Sequence, residues 1–399
     1  MSDRHASCSL GARLTRRALL RLAAVGGGAT LLSACQAAPP APAAAPTAAP
    51  AASPAASTDW EQRWNALVEA ARREGTVVVS GPPTPEVRAN LTARFKERFG
   101  IDVEYIGGRR GDLAIRLESE RAAGLYTVDV IIGGAQSIAT KFYPERWIAP
   151  IRHLLIHPDA TDSSKWRGGR IWFIDPDDAY ALRLLNSVSP MLAVNTTHIA
   201  PDEIRSAYDL LNPRYRGLIA QDDPTVSGTG SNTAAFIHAR LGEDYVRRLY
   251  GDQQVQFTRD RRQLSDWLGR ATYPIVINPN EADVLGPLVR DGFPIHVIPG
   301  LPELPPSITA GSGVVVLLHP APPPNAAQLL INWLITREGM DLYARAERGV
   351  PTRTDVDDSW APRYQVPQPG VEYFDTFDWE FTLADRTAIM EKIKALRGG

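Results

Sequence analysis

Cysteine is almost absent from this chain: there are two, Cys8 and Cys35, both within the first 35 residues. The body that follows therefore has no disulfide, no thiolate nucleophile and no cysteine-held zinc or iron–sulfur centre. An excess of either charge is lacking too, with 43 basic residues against 45 acidic ones. Five of the basic residues and one acidic residue fall in 1–34, so the remainder carries 38 and 44, a net charge of −6. That balance excludes nucleic acid as a partner and a generally basic membrane-binding surface. No histidine stands in a recognisable catalytic motif, and there is no Gly-x-Ser-x-Gly elbow. The spacing of His153 and His157 carries no intervening glutamate and is followed at once by Pro158, so it does not argue for a metal.

What is present begins with address. Basic residues, ending in Arg16 and Arg17, precede a Gly-rich apolar stretch that closes on Leu32-Ser33-Ala34-Cys35. A basic start, a short apolar run and a small-residue cleavage site are the parts of an export signal. The paired arginines resemble a twin-arginine signal, and the Leu-Ser-Ala-Cys end resembles a bacterial lipobox, which implies a lipid on Cys35. The apolar run is shorter than the ~20 residues needed to cross a bilayer. Residues 36–57 are almost wholly Ala, Pro, Ser and Thr, a composition that cannot bury a core and reads as a Pro-stiffened tether. The expected division is a signal over 1–34, a tether over 35–57 and a folded body after it. The expected location is the cell envelope, with the body held near a membrane by several acyl chains on one cysteine.

The body alternates helical and extended segments. A helix over Trp60 to Glu74 is followed by a strand over Thr76 to Ser80, a helix over Pro85 to Phe99 and a strand over Ile101 to Ile106. A helix over Leu113 to Ala123 and a strand over Val128 to Ile132 complete the run. This β-α-β-α-β order predicts an α/β lobe with a largely parallel sheet. Strands near Met191 to Val194, Leu218 to Ala220 and Pro274 to Ile277, with helices between them, predict a second lobe. Gly313 to Leu318 reads as a strong strand, and 325–336 and 338–345 as amphipathic helices.

In open α/β sheets ligands lie beyond the carboxyl ends of strands, often at helix N-termini. That rule selects three loops: Ser80, Gly81 and Thr84 after the first strand; Gly134, Gln136 and Ser137 after the third; and Ser227, Gly228 and Thr229 before a lobe-two helix. Glycines admit close approach and hydroxyls donate, which together suit an anion or a polar small molecule. The Gly228-x-Gly230 pair lacks the third glycine of a dinucleotide fingerprint, and no cofactor is expected. Arg109, in a Gly-rich turn after the second strand, is a candidate to fork onto a carboxylate or phosphonate, or else a surface turn residue. Trp172, Phe173 and Tyr180 are candidates for an aromatic wall or for the core. Asp175-Pro176-Asp177-Asp178 lacks the glycine and terminal glutamate of a calcium loop and reads as a solvated loop.

Several segments together resemble a known family. Glu74 to Ser80 with 95–104, Leu192-Ala193-Val194-Asn195-Thr196, Asp209-Leu210 with Pro213-Arg214-Tyr215-Arg216-Gly217, and Ile331-Asn332-Trp333-Leu334 with Arg337-Glu338-Gly339 are similar, in order and spacing, to extracellular solute-binding proteins of ABC importers, in particular the ferric-iron-type branch. The resemblance spans nearly all of 60–355. It implies a periplasmic-binding-protein-like II fold: lobe 1 from 58–190 plus 308–399, lobe 2 from 191–307, and two crossing segments near 189–194 and 307–313. It implies a monomer that does no chemistry, with a small-molecule ligand in the cleft and a membrane permease with its ATPase as partner. Ferric-binding members carry adjacent tyrosines after a lobe-two strand. Here the matching stretch is Ile277-Asn278-Pro279-Asn280-Glu281-Ala282, without a Tyr pair, which offers Asn280 and Glu281 to the cleft instead. Alternative expectations are an iron or iron-chelate binder using phenols such as Tyr105 or Tyr143, a ligand-binding sensor, and a secreted α/β hydrolase.

Overall fold

The computed structural model describes residues 59–108, 110–226, 228–280, 284–319, 324–384 and 386–397. Arg16, Arg17, Cys35, the tether, Arg109, Ser227 and Glu281 lie outside the described residues. No helix among the described residues is long and apolar enough to cross a membrane.

The first βαβ run forms as its side chains dictate. The helix Asp59–Glu74 has acids in its first turn and Arg72 and Arg73 in its last, which suits the helix dipole. It buries Leu67, Val68 and Ala71. Pro85 opens the helix Pro85–Phe99, where its missing N–H costs nothing. Gly100 ends that helix at φ 74°, its N–H returning to the Lys96 carbonyl. The stripe Val87, Leu91, Phe95 and Phe99 recurs every fourth residue and is buried.

Fourteen strands occur among the described residues, in chain order β1 (Thr76–Gly81), β2 (Asp102–Gly107), β3 (Val130–Gly133), β4 (Ile148–Ala149), β5 (Leu182–Arg183), β6 (Ser187–Ser189), β7 (Leu192–Asn195), β8 (Ile219–Asp222), β9 (Gln256–Thr258), β10 (Ile275–Ile277), β11 (Ile295–Ile298), β12 (Ser307–Thr309), β13 (Val314–Leu318) and β14 (Phe374–Asp375). The first sheet runs β2-β1-β3-β13-β4, with β5 also on β13. Its β2, β1 and β3 are parallel, and β13 is antiparallel to β3. The second sheet runs β11-β7-β10-β8-β9, with β10, β8 and β9 parallel.

Alternation along the strands builds a core on each face of each sheet. On the first sheet Val77, Val79, Val130, Ile132, Val315 and Leu317 meet the helices Asp59–Glu74, Pro85–Phe99 and Asn325–Leu334, while Ile131, Val314, Val316 and Leu318 fill the other face. On the second sheet Leu192, Val194, Ile219, Ile275 and Ile277 face one core, and Ala193, Ala220 and Val276 the other. The expected helices and strands of 60–132 fall within a few residues of their predicted bounds.

A third sheet, β14-β12-β6, joins the two. Strand β6 pairs antiparallel with β12, Ser189 opposite Ser307, at the two segments expected to cross between lobes. Strand β14 adds to β12 in parallel. Residues 308–399, grouped in the expectation with lobe 1, divide. Strand β13 and the helices Asn325–Leu334 and Arg337–Glu347 pack there. The last helix, Thr387–Arg397, lies instead on Thr229–Arg247, with Ile389 and Ile393 in the second sheet's core and Lys392 paired to Glu243 at 2.6 Å. An i, i+4 isoleucine pair finds its apolar cover there.

Candidate functional site

Both sheets bring their carboxyl edges to the crossing strands. On the first, β3 ends at Gly133, which pairs with Val314, the first residue of β13 after the crossing at β12. Since β2, β1 and β3 run parallel, the loops after Gly81, Gly107 and Gly133 share that edge. On the second, Asn278 follows β10 and accepts a hydrogen bond at 2.7 Å from Ser189 Oγ on the crossing strand β6. The loops after β8 and β10 share that edge because the two strands are parallel. The two edges bound a cleft with the crossing strands at its floor.

The loop after β1 is more structural than the sequence suggests. Ser80 is buried and donates its hydroxyl to the Ile106 carbonyl at 3.1 Å, tying β1 to β2. Gly81 lies close under a ring: a Cβ there would stand 2.9 Å from the Tyr105 Cζ. Tyr105 donates its hydroxyl to the Pro82 carbonyl at 2.7 Å. Thr84 donates to the Glu347 carboxylate at 2.6 Å. In the loop after β3, Gly134 precedes the helix Ala135–Ser137, Gln136 is exposed and Ser137 is half-buried. Tyr180 packs edge-on against Tyr143 at 5.4 Å, and Tyr143 packs on Trp379 at 5.1 Å beside this loop. Phe173 belongs to the lobe-one core and Trp172 packs against it, its indole N–H donated to the Arg167 carbonyl at 2.8 Å. Asp175 is buried and accepts the N–H groups of Ala179, Tyr180 and Ala181, which organises its loop.

The second edge carries more side-chain chemistry. Gly228 is exposed at the start of the helix Thr229–Arg247, and Ser231 Oγ bonds back to it. Gly230 is buried so closely on the end of β8 that a Cβ would stand 2.6 Å from the Asp223 carbonyl oxygen. Thr229 Oγ1 accepts from the Arg261 guanidinium at 3.4 Å. Burial pushes the Asp222 carboxyl above its ordinary pKa, against the pull of Arg261. The Asn280 carbonyl receives the N–H groups of Val284 and Leu285.

Asn278 was not singled out from sequence, although it sits where three elements meet. Its φ is 45°, a left-handed conformation in which Asn is enriched. Its N–H donates to the Met191 carbonyl at 2.7 Å, and its amide donates to Thr233 of the long helix. An Asn flanked by Pro after a β-branched run was the available signal.

The two phenols proposed as iron ligands are committed elsewhere. Burial pushes the Tyr105 hydroxyl well above its ordinary pKa. Tyr143 donates to Asp177 at 2.7 Å, and that hydrogen bond, with burial, pushes it up to about 12. Both phenols thus spend their hydroxyls on hydrogen bonds within the first lobe.

No protein-family model matches this chain, and no curated protein matches it. Solved structures do. AfuA from Actinobacillus pleuropneumoniae, a periplasmic binding protein solved with exogenous fructose-6-phosphate bound, is similar over 82% of this chain and 100% of its own, at 17% identity and TM-score 0.60. The apo ferric ion-binding protein A of Pasteurella haemolytica is similar over 81% and 98%, at 14% identity and TM-score 0.63. Iron-bound HitA from Pseudomonas aeruginosa is similar over 80% and 99%, at 13% identity and TM-score 0.59. At these identities the likeness establishes the fold, which is the two-lobed periplasmic-binding-protein architecture.

Proposed function

We propose that this chain is the exported, lipid-anchored substrate-binding component of an ABC importer, without enzymatic activity, capturing a small polar or anionic solute between its lobes. The observation that supports this reading most is the meeting of two carboxyl edges over paired crossing strands, Ser189 opposite Ser307. A hinge there lets ligand contacts from both edges form only in the closed state, and a closed state is a signal a permease can read. The expected contacts are Gly134, Gln136, Ser137, Gly228, Thr229 and Asn280, joined by Arg109, Ser227 and Glu281. The committed tyrosines disfavour bare ferric iron, whereas an anionic solute suits the helix start at Thr229 and the arginine beside it. Cys35 would hold the protein at the envelope, so Cys35→Ser should move the full chain from the membrane to the soluble fraction.

The test is thermal unfolding of the purified body against sugar phosphates, organic acids, phosphonates, polyamines and ferric citrate. A cognate ligand at a hundred times its Kd should stabilise the fold by about 2.7 kcal/mol. A melting temperature unmoved by every class would overturn the solute-binding reading.

A further inference from the structure

The C-terminal tail does not stay with either lobe. Trp360 packs against a core of the first sheet, and Tyr364 against a core of the second. Strand β14 then adds to the crossing strand β12, and its Phe374 stacks on Phe236 of the second lobe at 4.4 Å. Phe377, just after it, is buried in a core of the first lobe. The last helix, Thr387–Arg397, returns to the second.

The short helix Trp379–Leu383 stands where the tail crosses last. At its start the Asp378 carboxylate accepts the Phe381 N–H at 2.9 Å. Past its end the buried Arg386 donates to the carbonyls of Phe381 and Thr382 at 3.0 and 3.1 Å, and its guanidinium lies over the Phe381 ring. A helix turns by about 100° per residue, so positions i and i+2 point to nearly opposite sides. Trp379 takes one side: it meets Tyr143 of the first lobe at 5.1 Å, and the helix lies against Ala135–Ser137 and Ile138–Phe142. Phe381 takes the other: it meets Phe374 edge-on at 4.8 Å and packs on the second lobe's core. Each lobe thus holds one ring, and the two rings sit on Cα atoms that even a fully extended chain could part by no more than ~7 Å.

We propose that β14 and this helix form a strap, a third connection between the lobes beside β6 and β12, which limits how far the lobes turn about the crossing strands. The chain between the two rings has no slack. Rotation that parts the lobes here must therefore draw Trp379 off Tyr143 or Phe381 out of the second core. The strap also reaches the first edge of the cleft, since the helix Ala135–Ser137 against which it lies carries Gln136 and Ser137.

The test is the distance between lobes, measured by pulsed electron–electron resonance on spin labels at Ala93→Cys and Arg240→Cys, exposed positions on one helix of each lobe. The full chain is used with Cys8→Ser and Cys35→Ser, since it has no other cysteine. Trp379→Ala should broaden the distance distribution about twofold. Tyr143→Leu removes the same contact from the lobe-one side and should do likewise, so the test stands if one of the two variants fails to fold. Leu383→Ala, at an exposed position of the same helix, should keep the parental width. A parental width in the ring variants would overturn the proposal. So would equal broadening by Leu383→Ala. No ligand is added, so the outcome is independent of the solute-binding reading.

Discussion

The two edges of the cleft are made of different material. The first lobe ends its parallel strands in Gly81, Gly107 and Gly133, and the polar side chains beside them are largely occupied: Ser80 with Ile106, Thr84 with Glu347, Tyr105 with Pro82. The second lobe ends its strands beside Asp222, Thr229, Arg261 and Asn278, in direct contact with the start of the helix Thr229–Arg247, which breaks at Gly242, and with a crossing strand. One edge is built mainly of glycine backbone, the other of polar side chains bonded to one another and to the crossing strand. On the solute-binding reading proposed above, a ligand would be selected mainly by the second lobe and enclosed by the first. The difference holds only while the hinge keeps the edges opposed, so the hinge is where it breaks most readily.

The hinge has a buried charge at its centre. Arg183 on β5 is fully buried; its Nη1 donates to both oxygens of Asp375 on β14 at 2.8 and 2.7 Å, and its Nη2 and Nε donate to Asn186 and to the Leu185 carbonyl. Burial lowers its pKa, and Asp375 opposes that. Asp375→Ala leaves a guanidinium buried without its partner, at a cost of about 3–5 kcal/mol. The urea unfolding midpoint should fall accordingly. The double variant Arg183→Met with Asp375→Leu should recover only part of the loss, because it removes the buried charge but leaves the Asn186 Oδ1 and the Leu185 carbonyl without their donor. If Asp375→Ala unfolds with the parent, β14 is not integral to the hinge and the opposition of the two edges does not depend on it.

The contrast between edges sharpens with two glycines. Gly230→Ala drives a methyl into the backbone of Asp222 and Asp223, which cannot step aside, so it should cost about 2–3 kcal/mol. Gly81→Ala meets only the ring of Tyr105, which can swing away with loss of one hydrogen bond, so it should cost about 1 kcal/mol. Chemical denaturation of both variants measures the difference. Equal costs would mean that the first edge is as rigidly built as the second.

Much of this architecture was legible because its signals are local. The helix Pro85–Phe99 announces itself by Pro85, by the apolar stripe to Phe99 and by Gly100, and β13 by five consecutive apolar residues. The hinge was legible only through family resemblance. Strands β5, β6, β12 and β14 have two or three residues each, too few to show a period. Nothing near Asp375 in the chain marks it as the partner of Arg183, since that pair closes over 192 residues. Ser80 shows the opposite limit. Its hydroxyl at a strand end reads as a ligand donor, but the carbonyl that claims it belongs to the neighbouring strand, which sequence alone does not align. The last helix was grouped with the wrong neighbour for a similar reason: its isoleucine pair specifies that a face is buried, not against which lobe.

A finer effect concerns Asn278, where the second edge touches the hinge. Two roles are combined in one residue: a left-handed backbone at φ 45°, and an amide that bridges Ser189 and Thr233. Glycine keeps the first and removes the second; alanine removes both. Thr233 retains its bond to the Thr229 carbonyl at 3.0 Å, so neither substitution orphans that buried hydroxyl. Asn278→Gly should therefore cost about 1 kcal/mol for the lost bridge, and Asn278→Ala about 1 kcal/mol more for the strained backbone. Denaturation midpoints in the order parent, Gly, Ala would separate the two roles. Hydrogen exchange should then show faster opening of the Met191 and Asn278 amides in both variants, because the amide bridge that holds the crossing strand to the second edge is gone in each. Exchange at parental rates in the glycine variant would mean that backbone geometry alone couples this edge to the hinge.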